Sequence, residues 1–232
     1  MVLLKRLRAV ADMIIENKSL ADIGADHAQL SIYLLQQQMV PAVIIGELGD
    51  GPYRRALQAV FASGLSADIT VRQGNGLAVL EKGEVSTVVL AGMGADTIIE
   101  ILSHDDEKAR SFQRFVFQPM SKVGVLRKYL AWQGWPVVAE QLVGENNQFF
   151  QVLASEPGNT PYRLTTLETE LGFNALQADT ELKRSFLKLH HDKYTKVVDE
   201  LLASGQEDIG ARINDYRERI KELEMILGAS SG

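Results

Sequence analysis

A short acidic turn near the start of the chain has the residue types of a small-molecule binding site. The apolar run Leu20–Ile23 contains Asp22, Gly24 and Asp26 follow it, and residues 27–38 have a helical rhythm. This order predicts a strand, a tight turn and a helix whose first N–H groups face a ligand. The candidate cofactor-binding residues here are Asp22, Gly24 and Asp26. Because Gly24 has no Cβ, a ligand can approach the main chain there. An ordinary strand-to-helix turn is the alternative.

The turn departs from the G-x-G-x-x-G pattern of dinucleotide-binding sites. Asp26 stands where the second glycine would be, and its carboxylate would repel a pyrophosphate. The same carboxylate suits a ligand that is cationic at this point, such as one with a sulfonium or an amino group. The turn therefore favours S-adenosylmethionine over NAD.

Two polar loops follow the next predicted strands, at the sheet edge where open α/β sheets bind ligands. Glu47 and Leu48 follow the apolar run 42–46, and a carboxylate at this place can accept hydrogen bonds from both ribose hydroxyls. Asn75 lies in the segment Gly74–Gly76, where a polar side chain can be held close to an adenine edge. A simple Asn-Gly turn is the alternative for the second loop.

Two further loops are expected at the same edge. One is rich in glycine and keeps the edge open, and the other places an amide beside a proline. In the first loop, Ala91 and Gly92 are candidates for cofactor binding, and Met93 and Gly94 are candidates for substrate binding. In the second loop, Gln118 and Pro119 are candidates for substrate binding.

The composition limits the possible chemistry. The chain of 232 residues has no cysteine, which excludes disulfides, thiolate catalysis and cysteine-type zinc sites. We predict no metal site. The N-terminus lacks the pattern of a secretory signal and no window reaches ~18 consecutive apolar residues, so we expect a cytoplasmic protein without a membrane span. A net charge of −6 argues mildly against unspecific nucleic-acid binding.

The pattern of elements predicts an α/β fold with a second, helical domain. Strand and helix patterns alternate up to about residue 155, which indicates a mostly parallel, doubly wound Rossmann-like sheet. The run 149–154 is expected to be the last strand, antiparallel and at an edge. We place the domain boundary near Pro157, giving domains 1–157 and 158–232.

Residues 158–232 carry no strand pattern. Thr165 and Glu168 have the spacing of a capping box, and Asp179 is expected to cap a helix that ends near Ala203. A turn is predicted at Ser204 and Gly205. Apolar residues then recur at heptad spacing, which predicts an antiparallel, coiled-coil-like hairpin with the preceding helix. The seam consists of Ile209, Ile213, Tyr216, Ile220, Leu223 and Leu227.

Five motifs together resemble the bacterial tRNA (adenine-22-N1)-methyltransferase family, TrmK. They are Asp-Ile-Gly-Ala-Asp-His-Ala-Gln-Leu (22–30), Gly-Glu-x-x-x-Gly-Pro-Tyr (46–53), Arg-Gln-Gly-Asn-Gly-Leu (72–77), Ala-Gly-Met-Gly (91–94) and Gln-Pro-Met (118–120). The resemblance implies a class I methyltransferase domain, S-adenosylmethionine as donor, and a helical C-terminal domain that helps to hold tRNA. Asn75 departs from the family, whose members usually carry Asp there, so this contact would lose its charge.

The resemblance also implies roles near the reacting base. Adenine N1 lies on the Watson–Crick edge, so the base must be unpaired or flipped out, with Met93 and Pro119 as candidate walls. Asp26 is expected either to stabilise or deprotonate the cationic product or to bind the amino group of the donor. His27 is expected either to face the substrate or to support the turn.

Basic residues are the candidates for RNA contact. Arg6 lies on the first predicted helix, and Lys188 and Lys193 lie in the C-terminal hairpin. The resemblance favours phosphate contacts over the alternative of a solvated charged face. A methyltransferase acting on another RNA or a small molecule, and a non-catalytic nucleotide-binding protein, are the alternative functions. The sequence leaves open whether the protein is a monomer or a weak dimer.

Overall fold

The computed structural model describes residues 3–177, 179–204 and 209–229. The chain divides into two units, Met1–Arg163 and Leu164–Gly232. Residues 158–163 pack against the first unit: the Tyr162 hydroxyl donates to the carbonyl of Trp135 at 3.1 Å, and Arg110 Nη1 donates to the carbonyl of Gly158 at 2.6 Å. The predicted boundary at residue 157 thus falls within the first unit.

The first unit contains a seven-stranded sheet in the order β3-β2-β1-β4-β5-β7-β6. The strands are β1 (Leu20–Ile23), β2 (Val43–Glu47), β3 (Ile69–Gln73), β4 (Thr87–Met93), β5 (Arg114–Pro119), β6 (Val137–Glu145) and β7 (Gln148–Ser155). Strands β1 to β5 pair in parallel, whereas β7 pairs antiparallel with both β5 and β6. The central strands are short apolar runs because helices cover both faces of the sheet.

The last strand is antiparallel as predicted, but its expected edge position is wrong. Strand β7 lies inside the sheet, and β6 forms the edge. A two-residue turn at Asn146 and Asn147, both with positive φ, joins the two strands as a hairpin. The more apolar strand takes the inner place: Val152, Leu153 and Ala154 are fully buried, while much of β6 is exposed.

Helices of the first unit cover the sheet. They are α1 (Lys5–Ala11), α2 (Gln29–Gln36), α3 (Asp50–Ser63), α4 (Ala95–His104), α5 (Asp106–Ala109) and α6 (Val123–Gln133), with a 3₁₀ turn at Gly76–Val79. Helix α2 begins two residues later than predicted because Asp26 and Ala28 have positive φ, which a right-handed helix does not allow. Under α4 and α6, the rings of Phe115 and Phe117 stack at 5.7 Å.

The second unit is helical throughout its described residues. It contains α7 (Thr166–Leu171), α8 (Phe173–Leu176), α9 (Glu181–Ala203) and α10 (Gly210–Ala229). The predicted capping box at Thr165 and Glu168 is present. Thr180 caps α9 in place of Asp179, which instead pairs with Lys183 at 2.7 Å.

Helices α9 and α10 form the predicted antiparallel hairpin. Tyr194 contacts Tyr216 with ring centroids 5.7 Å apart, and His191 lies 3.4 Å from Glu224 further along. Ile213 and Leu223 of the heptad seam are buried, and its other members are half-buried. Gly205 of the predicted turn lies outside the described residues. Within the described part of the chain, no helix has the length and apolar character needed to cross a membrane.

Candidate functional site

A cavity of about 440 Å³ opens at the carboxyl ends of β1 to β4. Its size and its mixed apolar and polar lining are typical of a small-molecule site. The structure brings several predicted ligand-binding residues together around it. These are Gly24, Glu47, Leu48, Gly74, Asn75, Gly76 and Met93.

At Gly24 the cavity is lined by main chain that no side chain covers. It has a φ of 76°, and its N–H donates to the carbonyl of Gly46 at 2.8 Å. A Cβ at this position would lie 3.1 Å from Cε of Met93 and would also strain the backbone. Glycine therefore leaves the main chain accessible, as the sequence predicted.

Glu47 is the acidic residue that β2 contributes to the cavity lining. It ends β2, is buried, and accepts a hydrogen bond at Oε1 from the backbone N–H of Asp26. Burial raises the pKa of Glu47, partly offset by this hydrogen bond. A carboxylate held in this way has acceptor capacity left for ligand hydroxyls.

Asp26 and His27 lie beside the cavity and are not part of its lining. Nε of Arg55, on α3, donates to Oδ1 of Asp26 at 2.6 Å, and Nε2 of His27 lies 3.6 Å from Oδ2. The hydrogen bond from Arg55 lowers the pKa of Asp26. Sequence reasoning missed Arg55, because an arginine on an exposed helix face carries no motif.

Asp22 is placed behind the turn. It is buried within β1 and accepts a hydrogen bond from Oγ of Ser31 at 2.8 Å. Burial raises its pKa to about 6. The structure does not bring Asp22 to the cavity lining, and its geometry is that of a support for the start of α2.

The Gly-rich segment predicted as a loop is the last part of β4, and it turns one side chain into the cavity. The pairing of β4 with β5 shifts between Ala91 and Met93, and Gly92 has a φ of 78°. Because of this irregularity Met93 reaches the cavity, while Ala91 and Gly92 do not line it. Gly94 lies at the start of α4.

One wall of the cavity comes from helices that were not predicted to contact the ligand. Residues of α4, α5 and the residue between them line it: Thr97, Glu100, Ile101, His104, Asp105 and Lys108. A Cβ on Gly76 would lie 2.9 Å from Cγ2 of Ile101, so the Ile101 side chain packs directly on the Gly76 backbone. Thr97, Ile101 and His104 recur at helical spacing, and this one-sided pattern could have identified the wall.

The residues predicted to face the substrate lie at the ends of β4 and β5. Met93 pairs in register with Pro119. Gln118 is fully buried, and its Oε1 accepts a hydrogen bond from Nη1 of Arg6 at 3.2 Å. Arg6 also lies 3.4 Å from Glu145 and 5.7 Å from the ring centroid of Phe150. These contacts bind α1 to the sheet and compete with the predicted phosphate contact of Arg6.

Lys188 and Lys193 are exposed on α9 in the second unit. Their surroundings include the acidic residues Asp192, Asp199 and Glu200, which are also exposed. This surface therefore has mixed charge.

The doubly wound sheet and the cavity at its strand ends define a Rossmann-like nucleotide-binding protein. The chain belongs to the methyltransferase-domain family, which matches residues 3–153. A curated tRNA (adenine(22)-N(1))-methyltransferase of Bacillus subtilis is 36% identical over 155 residues, which are 67% of this chain and 65% of that enzyme. The aligned region thus spans slightly less than two thirds of that relative.

Solved structures of other proteins superpose on nearly the whole of this chain. The crystal structure of the B. subtilis m1A22 tRNA methyltransferase TrmK superposes with a TM-score of 0.84 at 26% identity and covers 97% of this chain and 99% of that one. The Streptococcus pneumoniae protein Sp1610, solved in complex with S-adenosyl-L-methionine, superposes with a TM-score of 0.83 at 28% identity and covers 97% and 100%. The resemblance and the fold class predicted from the sequence are confirmed.

Proposed function

We propose that this protein transfers a methyl group from S-adenosylmethionine to N1 of adenine 22 in tRNA. The observation that carries the proposal is the cavity at the strand ends, with the Glu47 carboxylate in its lining. The similarity to the B. subtilis enzyme supports the choice of tRNA and of the position that is methylated.

The cavity residues fit a nucleoside-containing donor. Glu47 keeps free acceptor positions that would hold the ribose hydroxyls, because the N–H of Asp26 occupies only Oε1. The exposed amide of Asn75 would meet the adenine edge, and Leu48 and Ile101 supply apolar surface beside it. When bound, S-adenosylmethionine supplies a methyl group that its sulfonium already activates.

The protein mainly has to position the substrate base. Adenine N1 attacks through its in-plane lone pair, so no general base is needed for the attack; the methyl–sulfur bond breaks as the methyl–nitrogen bond forms. The flipped base would lie against Met93 and Pro119. The hydrogen bond from Arg55 lowers the pKa of Asp26 and makes its carboxylate a weaker base, which favours a role beside a positive charge, either the donor ammonium or the methylated base, over proton abstraction.

The second unit is proposed to assist tRNA binding. Lys188 and Lys193 would contact phosphates, and the mixed charge of their surroundings predicts weak, salt-sensitive binding. A cytoplasmic location and a monomeric or weakly dimeric state belong to the same proposal.

The proposal is tested by incubating the protein with labelled S-adenosylmethionine and an unmodified tRNA transcript, then mapping the methylated nucleotide. We expect 1-methyladenine at position 22 and no label in a transcript with guanine there. Label at another nucleotide would indicate a different RNA specificity. Donor binding without transfer to any RNA would favour a small-molecule substrate, and no donor binding would indicate a non-catalytic protein.

A further inference from the structure

Three residues connect an exposed helix face to the interior of the cavity. Nε of Arg55 on α3 donates to the Asp26 carboxylate at 2.6 Å. The backbone N–H of the same Asp26 donates to Oε1 of Glu47, which lines the cavity. Arg55 thus reaches the cavity carboxylate through a single intervening residue.

The intervening residue needs external support. Asp26 has a φ of 45°, a left-handed conformation that residues with a Cβ seldom adopt, although Asp tolerates it better than most. This conformation directs the Asp26 N–H toward Glu47. Strained backbone of this kind persists where surrounding contacts fix it, and the side chain of Asp26 is fixed by Arg55.

We infer that Arg55 is a positioning residue of the donor site, which holds the Asp26 turn so that Glu47 is oriented for the ribose hydroxyls; the inference rests on the proposed function. Arg55 does not line the cavity and acts through Asp26. The side chains of Arg55 and Asp26 are 45% and 44% exposed, so their ion pair contributes little to folding. Loss of Arg55 should therefore affect ligand binding more than stability.

The chain supplies a matched control in the preceding residue of α3. Nε of Arg54 pairs with Asp50 at 3.0 Å, and this pair is also exposed. Arg54 and Asp50 lie outside the cavity lining. Arg54→Ala removes an arginine and an ion pair from the same helix without touching the Asp26 turn.

The test measures affinity for S-adenosylhomocysteine, adenosine and 2′,3′-dideoxyadenosine in the full-length chain carrying Arg55→Ala, Arg55→Lys or Arg54→Ala. We expect Arg55→Ala to weaken the binding of S-adenosylhomocysteine and adenosine about two- to fivefold, the range an exposed ion pair can supply. Arg55→Lys should recover part of the loss, and Arg54→Ala should match the parent. Binding of 2′,3′-dideoxyadenosine should not change, because it has no hydroxyls for Glu47.

Four results would overturn the inference: parental affinity in Arg55→Ala, equal losses in Arg55→Ala and Arg54→Ala, a loss for S-adenosylhomocysteine but not adenosine, or an equal loss for 2′,3′-dideoxyadenosine. Failure of the parent protein to bind S-adenosylhomocysteine is a separate result. It would overturn the proposed function and this inference with it.

Discussion

Two buried carboxylates on neighbouring strands have different partners and different uses. Asp22 accepts a hydrogen bond from Ser31 behind the turn, whereas Glu47 accepts one from a backbone N–H and faces the cavity. The sequence predicts both as cofactor-binding residues, because Asp22 lies within an apolar run that leads into a turn and Glu47 directly follows another. Only the turn geometry, with positive φ at Gly24 and Asp26, separates the supporting carboxylate from the ligand-facing one.

Glu47→Ala tests the ligand-facing carboxylate. It removes the acceptor for the ribose hydroxyls, so we expect the free energy of S-adenosylhomocysteine binding to weaken by about 1.5–3 kcal/mol. Isothermal titration calorimetry measures this, with Glu16→Ala on an exposed glutamate outside the cavity as the control. Unchanged affinity in Glu47→Ala would place the ribose elsewhere.

Asp22→Asn tests the supporting carboxylate through the pH dependence of stability. The folded pKa of about 6 exceeds the usual aspartate pKa of 3.8, so the folded state binds the proton more tightly. The contribution of protonated Asp22 to the free energy of unfolding is fully present below pH 3.8, falls as the pH rises to about 6, and is absent above that pH. The difference corresponds to about 3 kcal/mol.

Asparagine at position 22 keeps an acceptor for Ser31 without the buried charge. We therefore expect Asp22→Asn to unfold at a higher urea concentration than the parent at pH 7.5. Its free energy of unfolding should also no longer decline between pH 4 and 6. The exposed Asp68→Asn is the control. A parental pH slope in Asp22→Asn would refute this account. A large loss of S-adenosylhomocysteine affinity would instead support the predicted contact of Asp22 with the cofactor.

At the level of elements, apolar runs predicted the inner parallel strands β1, β2, β4 and β5, because these are buried on both faces of the sheet. Two features could not be predicted from the sequence. The inner place of β7 depends on which strand of the hairpin buries more apolar surface against β5, which is a property of packing. The contribution of α4 to the cavity depends on the close approach of Ile101 to Gly76, residues that are distant in sequence.

Helix α6 is attached to the β6–β7 hairpin by a buried polar network. Nε of Arg127 donates to Glu140 at 2.9 Å, and Nη2 donates to Gln151; the Arg127 side chain is 3% exposed. Arg127→Met removes the guanidinium from a nearly buried carboxylate, and we expect a loss of about 3–5 kcal/mol in unfolding free energy.

Urea denaturation measures the effect of Arg127→Met, with Lys128→Met on the exposed side of the same helix as the control. The double variant Arg127→Met/Glu140→Leu should recover part of the loss because it also removes the buried charge. A loss below about 1 kcal/mol in Arg127→Met would mean that Glu140 is accommodated without the arginine.

At the scale of the whole molecule, the cavity and the helical hairpin belong to different units of the chain. Every residue of the cavity lining belongs to the first unit, whereas Lys188 and Lys193 belong to the second. This division could be predicted from the sequence, because the strand pattern ends near residue 155 and a heptad pattern follows. The exact boundary could not, because residues 158–163 join the first unit through contacts such as that of Tyr162 with Trp135.

Truncation after Arg163 tests this division. We expect a folded domain that binds S-adenosylhomocysteine with parental affinity and methylates tRNA at least about tenfold more slowly, since RNA contacts are lost. In the full-length chain, Lys188→Glu with Lys193→Glu should weaken tRNA binding and lower its salt dependence by about one unit of slope per lost phosphate contact. If the truncated domain methylates tRNA at the full-length rate, the hairpin serves only in packing.

The inner position of β7 also constrains the order in which the nascent protein can fold. Until residues 148–155 leave the ribosome, β5 has no partner on one side, and its backbone groups flank the apolar residues Phe115, Val116 and Phe117. An unpaired apolar strand edge readily pairs with other chains. Chains that stop before β7 should therefore aggregate during synthesis, whereas chains that extend past Ser155 close this edge with their own hairpin.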